Sequence, residues 1–153
     1  MKIAIDIARQ ELTFGGKTYR VSTSKHGCGE KSGSFCTPRG RHIVRARIGA
    51  GQPLNTVFVR RRPSGEIWTP ELDARYPGRD WILTRILWLS GCEPGKNRLG
   101  EVDTMRRYIY IHGSPDTTDI GKPGSIGCVR MRNADIAELF ELVTPYTPVE
   151  IKA

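Results

Sequence analysis

Apolar positions in this chain recur mostly at every second residue, the period of a half-buried strand. Residues 2–7 read Lys-Ile-Ala-Ile-Asp-Ile, and residues 10–14 run into the turn pair Gly15-Gly16. Residues 17–23 follow with Tyr19 and Val21 on one face, so the chain is expected to open as a β-meander. Residues 41–48 predict a strand with Val44, Ala46 and Ile48 inward and Arg45 and Arg47 outward; residues 56–60 predict a shorter one. Residues 81–89 are an apolar run broken by Arg85, the pattern of a central strand. Arg107-Tyr108-Ile109-Tyr110-Ile111 alternates again and ends at His112.

The period then changes. Ile136, Leu139, Phe140 and Val143 recur at i, i+3, i+4, i+7, which predicts a helix with one buried face. Asn133 is its expected cap, Asp135 suits the positive end of the helix dipole, and Pro145 stops it. Val149 to Ile151 predicts a closing strand. Residues 24–40 are a Gly/Ser-rich loop ending in Thr37-Pro38-Arg39-Gly40. Residues 62–80 carry Pro63, Ser64-Gly65, Pro70 and Pro77-Gly78 and read as a surface loop; its Trp68 and Tyr76 either border a cleft or tuck back to hold it. The fold class expected is mainly β, a twisted β-sandwich or partial barrel with one packed α-helix.

Composition narrows this picture. At 153 residues the chain fits a single domain, 1–153, able to bury roughly 70% of its unfolded surface. With 38% apolar and 26% charged residues, 17 Gly and 10 Pro, it is globular and loop-rich rather than disordered. The net charge of +8 favours acidic partners. The basic residues are nevertheless scattered. The densest runs, Arg60-Arg61-Arg62 and Arg106-Arg107, sit in no helix-turn-helix, finger or aromatic-laced strand, so no nucleic-acid partner is expected. No stretch approaches the ~18 apolar residues of a membrane span, so no membrane partner is expected either. Met1-Lys2-Ile3-Ala4-Ile5-Asp6-Ile7 places an acid inside what an export signal needs as an unbroken apolar core. The expected location is the cytoplasm, or the periplasm or cell wall if an export segment has been removed. The pattern does not fix an oligomeric state.

Four cysteines, Cys28, Cys36, Cys92 and Cys128, suit a reducing compartment, although Cys28 and Cys36 could pair across a short loop. His26-x-Cys28 with Cys36 and His42 lacks any Cys-x-x-Cys or His-x3-His spacing, so no metal is expected, and no cofactor is indicated. The chemistry concentrates on His112 and on Cys128, sixteen positions later behind a Gly/Pro/Ser-rich loop. An imidazole beside a thiol takes its proton and produces the attacking thiolate. Gly127 lets the backbone turn sharply, leaving the Cys128 N–H and a neighbour free for an oxyanion. Arg130, two residues beyond the sulfur, is placed to hold a substrate carboxylate.

The pattern Ile111-His112-Gly113-Ser114-Pro115, then Asp119-Ile120-Gly121, then Ser125-x-Gly127-Cys128-Val129-Arg130-Met131-x-Asn133 resembles the signature of the L,D-transpeptidase catalytic domain, the YkuD-like family. Thr37-Pro38-Arg39-Gly40 is similar to the family's upstream TPxG element, and residues 86–91 resemble its apolar strand before the histidine. Many members carry a second histidine where Ile126 stands and an asparagine where Arg130 stands. The resemblance implies a catalytic pair of Cys128 and His112, the latter oriented by the Gly113 carbonyl. It also implies a thioester acyl-enzyme; Gly127 as the oxyanion element and Arg130 and Ser125 as substrate-binding residues complete the expected site. The implied substrate is a peptidoglycan stem tetrapeptide, cut between its diamino acid and the terminal D-alanine. Transfer to an amine would crosslink; transfer to water would make an L,D-carboxypeptidase that trims recycled muropeptides. A non-catalytic peptide-binding module is the reading from another class.

Overall fold

The computed structural model describes residues 1–153. Ten strands join one sheet: β1 (Ile3–Asp6), β2 (Glu11–Phe14), β3 (Lys17–Ser22), β4 (Gly40–Ile48), β5 (Thr56–Val59), β6 (Arg62–Ile67), β7 (Leu83–Gly91), β8 (Tyr110–Ser114), β9 (Val129–Arg132) and β10 (Pro148–Lys152). Two helices accompany them, α1 (Pro70–Arg75) and α2 (Asn133–Leu142). The order runs β4-β10-β1-β2-β3-β9-β8-β7, and β4 also pairs antiparallel with β7, so these eight strands close into a barrel. The β5–β6 hairpin hangs from β7 through Val57 opposite Leu83. The mainly β class with one principal packed helix is thus realised in closed form.

The two-residue period explains the core. Ile3 and Ile5, Leu12 and Phe14, Tyr19 and Val21, Leu87 and Leu89 turn inward together with Ile111, Val129 and Met131. Ile136, Leu139 and Phe140 of α2 join the same cluster. The opposite face of β7 and β8 presents Ile86 and Tyr110 to Phe58 of the hairpin, with Cys128 packed alongside. That second, smaller cluster is the floor of the site.

Several local expectations are corrected. Residues 62–80 contain both β6 and α1. Pro63 is tolerated because β6 is an edge strand, and Thr69 caps α1 by accepting from the Leu72 N–H at 3.1 Å, with Pro70 opening the helix. In β4 a register shift between Val44 and Ala46 resets the alternation. Arg47 therefore lies against α2, its guanidinium 4.1 Å from the Phe140 ring centroid and donating to the Phe140 carbonyl at 2.6 Å. β8 begins at Tyr110, since Tyr108 sits in a turn with φ +56, and His112 is mid-strand rather than at a strand end. Asn133 is the first helical residue rather than the cap, which is Arg132 and offers no side-chain bond. The Asn133 amide instead accepts from Thr84 Oγ1 at 2.6 Å and donates to Asn55 Oδ1 at 2.7 Å.

Candidate active site

β8 and β9 are parallel neighbours in the register Ile111 to Val129, His112 to Arg130 and Gly113 to Met131. Alternation sends Ile111, Val129 and Met131 into the core, so Tyr110, His112 and Arg130 share the other face. Cys128 directly precedes β9 and continues that face, two residues out of step with His112.

The turn before Cys128 is held by specific bonds. Ser125 Oγ donates to the Cys128 carbonyl at 2.6 Å and accepts the Gly127 N–H at 3.2 Å. Thr37 Oγ1, from the loop between β3 and β4, donates to the Gly127 carbonyl at 2.9 Å. Gly127 has φ +133, and a Cβ there would press on Ile109 Cδ1 at 3.1 Å, so both conformation and space demand glycine. Two expectations change as a result. Ser125 is buried and its hydroxyl is consumed in the turn, so it does not present itself to a substrate. The Gly127 N–H is likewise committed, which leaves the Cys128 N–H, bonded to nothing, as the donor available to an oxyanion.

The Cys128 sulfur donates toward the Tyr108 carbonyl at 3.4 Å and accepts the Tyr110 N–H at 3.3 Å. It opens onto a cavity of about 440 Å³ walled by Phe35, Phe58, Ile86, Tyr108, Tyr110 and Ile126. Surrounding protein pushes the thiol up to about 12, chiefly by desolvation, with the Asp80 carboxylate acting in the same direction and the Tyr110 N–H opposing it. His112 is fully buried. Its Nδ1 lies 2.6 Å from the Gly113 carbonyl, so Nδ1 carries the proton, and Nε2 is left with no partner. Burial holds the imidazole below its ordinary pKa, with Asp80 pulling the other way. The resting pair is therefore a protonated thiol and a neutral imidazole, with no hydrogen bond joining them.

Arg130 is not the free clamp its position suggested. Its Nη2 is paired with Asp80 Oδ1 at 2.7 Å and its Nη1 donates to the Gly124 carbonyl at 3.1 Å. Thr37, from the TPxG-like element, reaches the site through its hydroxyl, while Asp80 and the backbone of Tyr108 and Tyr110 contribute to it without being singled out in the sequence. Gly113 must also be glycine, since a Cβ would collide with Asn133 Oδ1 and with the Leu83 carbonyl. All four cysteines are free, and no three His, Cys, Asp or Glu side chains converge as metal ligands.

A family model described as L,D-transpeptidase catalytic domain (YkuD) matches residues 1–151. The probable L,D-transpeptidase YbiS of Escherichia coli K12 is 34% identical over 123 residues, 74% of this chain and 39% of that protein. A putative L,D-transpeptidase of Fuscovulum blasticum, from the ATP synthase subunits region, is 37% identical over 99 residues, 60% of this chain and 46% of that one. The chain thus spans less than half the length of these curated relatives. Among solved structures, L,D-transpeptidase 3 from Mycobacterium tuberculosis superposes with a TM-score of 0.58 at 13% identity, covering 99% of this chain and 60% of that one. The L,D-transpeptidase from Mycobacterium smegmatis gives 0.53 at 19% identity, covering 99% and 58%; both likenesses establish the fold. Fold, motif spacing and matched length agree, and the chain belongs to the L,D-transpeptidase catalytic domain family.

Proposed function

We propose that this chain is a cysteine acyltransferase acting on peptidoglycan stem tetrapeptides, with Cys128 as nucleophile and His112 as its base. The observation that carries the reading is the sulfur at the floor of an open cavity beside its own unbonded backbone N–H, with the unpartnered Nε2 of His112 two residues along the same face. The Gly113 carbonyl fixes the tautomer that leaves Nε2 able to accept a proton.

In the proposed reaction the thiol swings from the Tyr108 carbonyl toward Nε2 and gives up its proton as it attacks the carbonyl carbon of the diamino acid. The Cys128 N–H holds the oxyanion. Collapse of the tetrahedral species breaks the peptide bond, and the imidazolium returns the proton to the departing D-alanine amine. The thioester is then attacked by an amine or by water, which loses its proton to His112, and the thiol is regenerated. Because burial disfavours both charged forms, proton transfer is coupled to attack rather than stored in a resting ion pair.

The test is mass spectrometry of the protein with a soluble disaccharide-tetrapeptide, alongside Cys128→Ala. Dimers that vanish in the variant identify a transpeptidase; D-alanine loss without dimers identifies an L,D-carboxypeptidase. No product and no covalent adduct would overturn the enzyme reading in favour of a peptide-binding module.

A further inference from the structure

The cavity above Cys128 carries four charged side chains, Arg60, Arg61, Arg107 and Asp80, on otherwise apolar walls. Two of them are spent. Arg107 donates to the Gly29 carbonyl, the Ser34 hydroxyl and the Cys36 carbonyl, and Asp80 is paired with Arg130. The remaining two form the tip of the β5–β6 hairpin, a two-residue turn in which both residues have positive φ, +50 at Arg60 and +66 at Arg61. Such turns ordinarily use Asn-Gly, because L side chains are strained there. Two arginines in this conformation hold the tip against its intrinsic preference, which points to a use for the side chains.

Arg61 is also held in place. Its guanidinium lies 4.9 Å from the ring centroids of both Trp88 and Tyr108, and Nη1 donates to the Tyr110 hydroxyl at 3.0 Å. Nε and Nη2 keep their donors for another acceptor. Tyr110 spans the gap between the two centres, its hydroxyl on Arg61 and its backbone N–H on the Cys128 sulfur. The guanidinium is thereby fixed one tyrosine side chain away from the nucleophile.

The geometry points to Arg61, assisted by Arg60, as the reader of a carboxylate lying within about one residue of the carbonyl that Cys128 attacks. This inference rests on the proposed acyl-transfer reading and names a chemical requirement of the same site: an anionic group entering along the hairpin side. In a stem tetrapeptide the groups with that chemistry are the C-terminal carboxylate of the leaving residue, the side-chain carboxylate of a diamino acid that carries one, and the free carboxylate of the γ-linked glutamate before it. Planar, two-pronged recognition is what a stacked guanidinium supplies and a mobile lysine does not.

Alkylation of Cys128, followed by peptide mapping, tests the idea without any turnover. The rate with iodoacetate, divided by the rate with iodoacetamide in the same variant, cancels general disturbance of the thiol and reports attraction for a carboxylate. Arg61→Gln is expected to lower this ratio about fivefold, and the double variant with Arg60→Gln further, whereas Arg9→Gln on the far meander changes it less than twofold. An unchanged ratio in the double variant, or an equal fall in Arg9→Gln, overturns the inference. Tetrapeptides amidated at each carboxylate in turn then identify the group: the peptide whose kcat/KM no longer responds to Arg61→Gln has lost the one that is read. If every amidated peptide still responds, the inference fails. If no peptide is turned over while the alkylation ratio falls as expected, the substrate reading fails and the carboxylate site stands.

Discussion

Asp80 and Arg130 meet at 2.7 Å on the rim between two cavities, Asp80 facing the one that contains Cys128 and Arg130 the neighbouring polar one. A carboxylate held by Arg130 must therefore compete with Asp80. If Arg130 binds substrate, Arg130→Ala lowers tetrapeptide kcat/KM by about tenfold or more while alkylation of Cys128 by iodoacetamide changes less than about twofold. Asp80→Asn, which frees the guanidinium, lowers KM. Equal losses of turnover and alkylation in Arg130→Ala would reduce the residue to a structural support.

The depressed His112 pKa sets the acid limb. In the proposed mechanism the imidazole acts when neutral, and burial keeps it neutral below its ordinary pKa, so kcat/KM is expected to stay level as pH falls through about 6.5 and to drop only beneath it. On the alkaline side, a thiol pushed up to about 12 gives an iodoacetamide rate rising about tenfold per pH unit through pH 10 with no plateau. A plateau near neutrality would mean a preformed thiolate–imidazolium pair and contradict this account.

His42 makes stability fall in acid. It is buried between the Gly40 carbonyl at 3.0 Å and Thr104 Oγ1 at 3.0 Å, and desolvation lowers its pKa to about 4. Between about 6.5 and 4 the unfolded chain takes up a proton that the folded one refuses, so stability is intact above that window and declines as pH falls through it, by about 3 kcal/mol in all. Urea midpoints from pH 7.5 to 4 should show this slope and lose most of it in His42→Gln. The same slope in the variant would assign the effect to other groups.

Thr84 has φ +75, a strained backbone for a β-branched residue, and its hydroxyl also accepts the Asn55 N–H at 3.0 Å. Asn133→Ala removes the partner of both Thr84 and Asn55 and is expected to cost about 1–3 kcal/mol in denaturant unfolding. Because Asn133 Oδ1 abuts Gly113, whose carbonyl orients His112, the variant should also lose activity beyond what its stability explains. Full activity at temperatures where the variant remains folded would separate the network from the imidazole.

Much of the fold was legible because local period dictates burial: the β1 to β3 meander and the buried face of α2 fall where alternation and helical spacing put them. The site was legible from residue types, His112 and a Gly-Cys pair facing each other across one Gly/Pro/Ser-rich loop; that the two strands pair in parallel was not. What stayed hidden depends on contacts remote in sequence. Nothing near Arg45 announces a bulge, so simple alternation points Arg47 to solvent, whereas it stacks on Phe140. The Asp80–Arg130 pair joins residues fifty positions apart, and Ser125 reads as an accessible hydroxyl until the Gly127 and Cys128 backbone is seen to occupy it. The left-handed tip at Arg60-Arg61 is equally silent, because its residues are not those that favour such a turn.

The pairing of β10 with both β1 and β4 bears on how the chain folds during synthesis. Lys2 and Glu150 meet across that seam at 2.8 Å, 148 positions apart in sequence, and β10 follows the other nine strands along the chain. Until it arrives, β1 and β4 each present a bare edge able to pair with another chain. A nascent polypeptide stalled before residue 148 thus holds an open sheet, and non-local closure makes ring completion a slow step. Pulse-labelled hydrogen exchange should find protection of the β1 and β4 amides arriving together, and last.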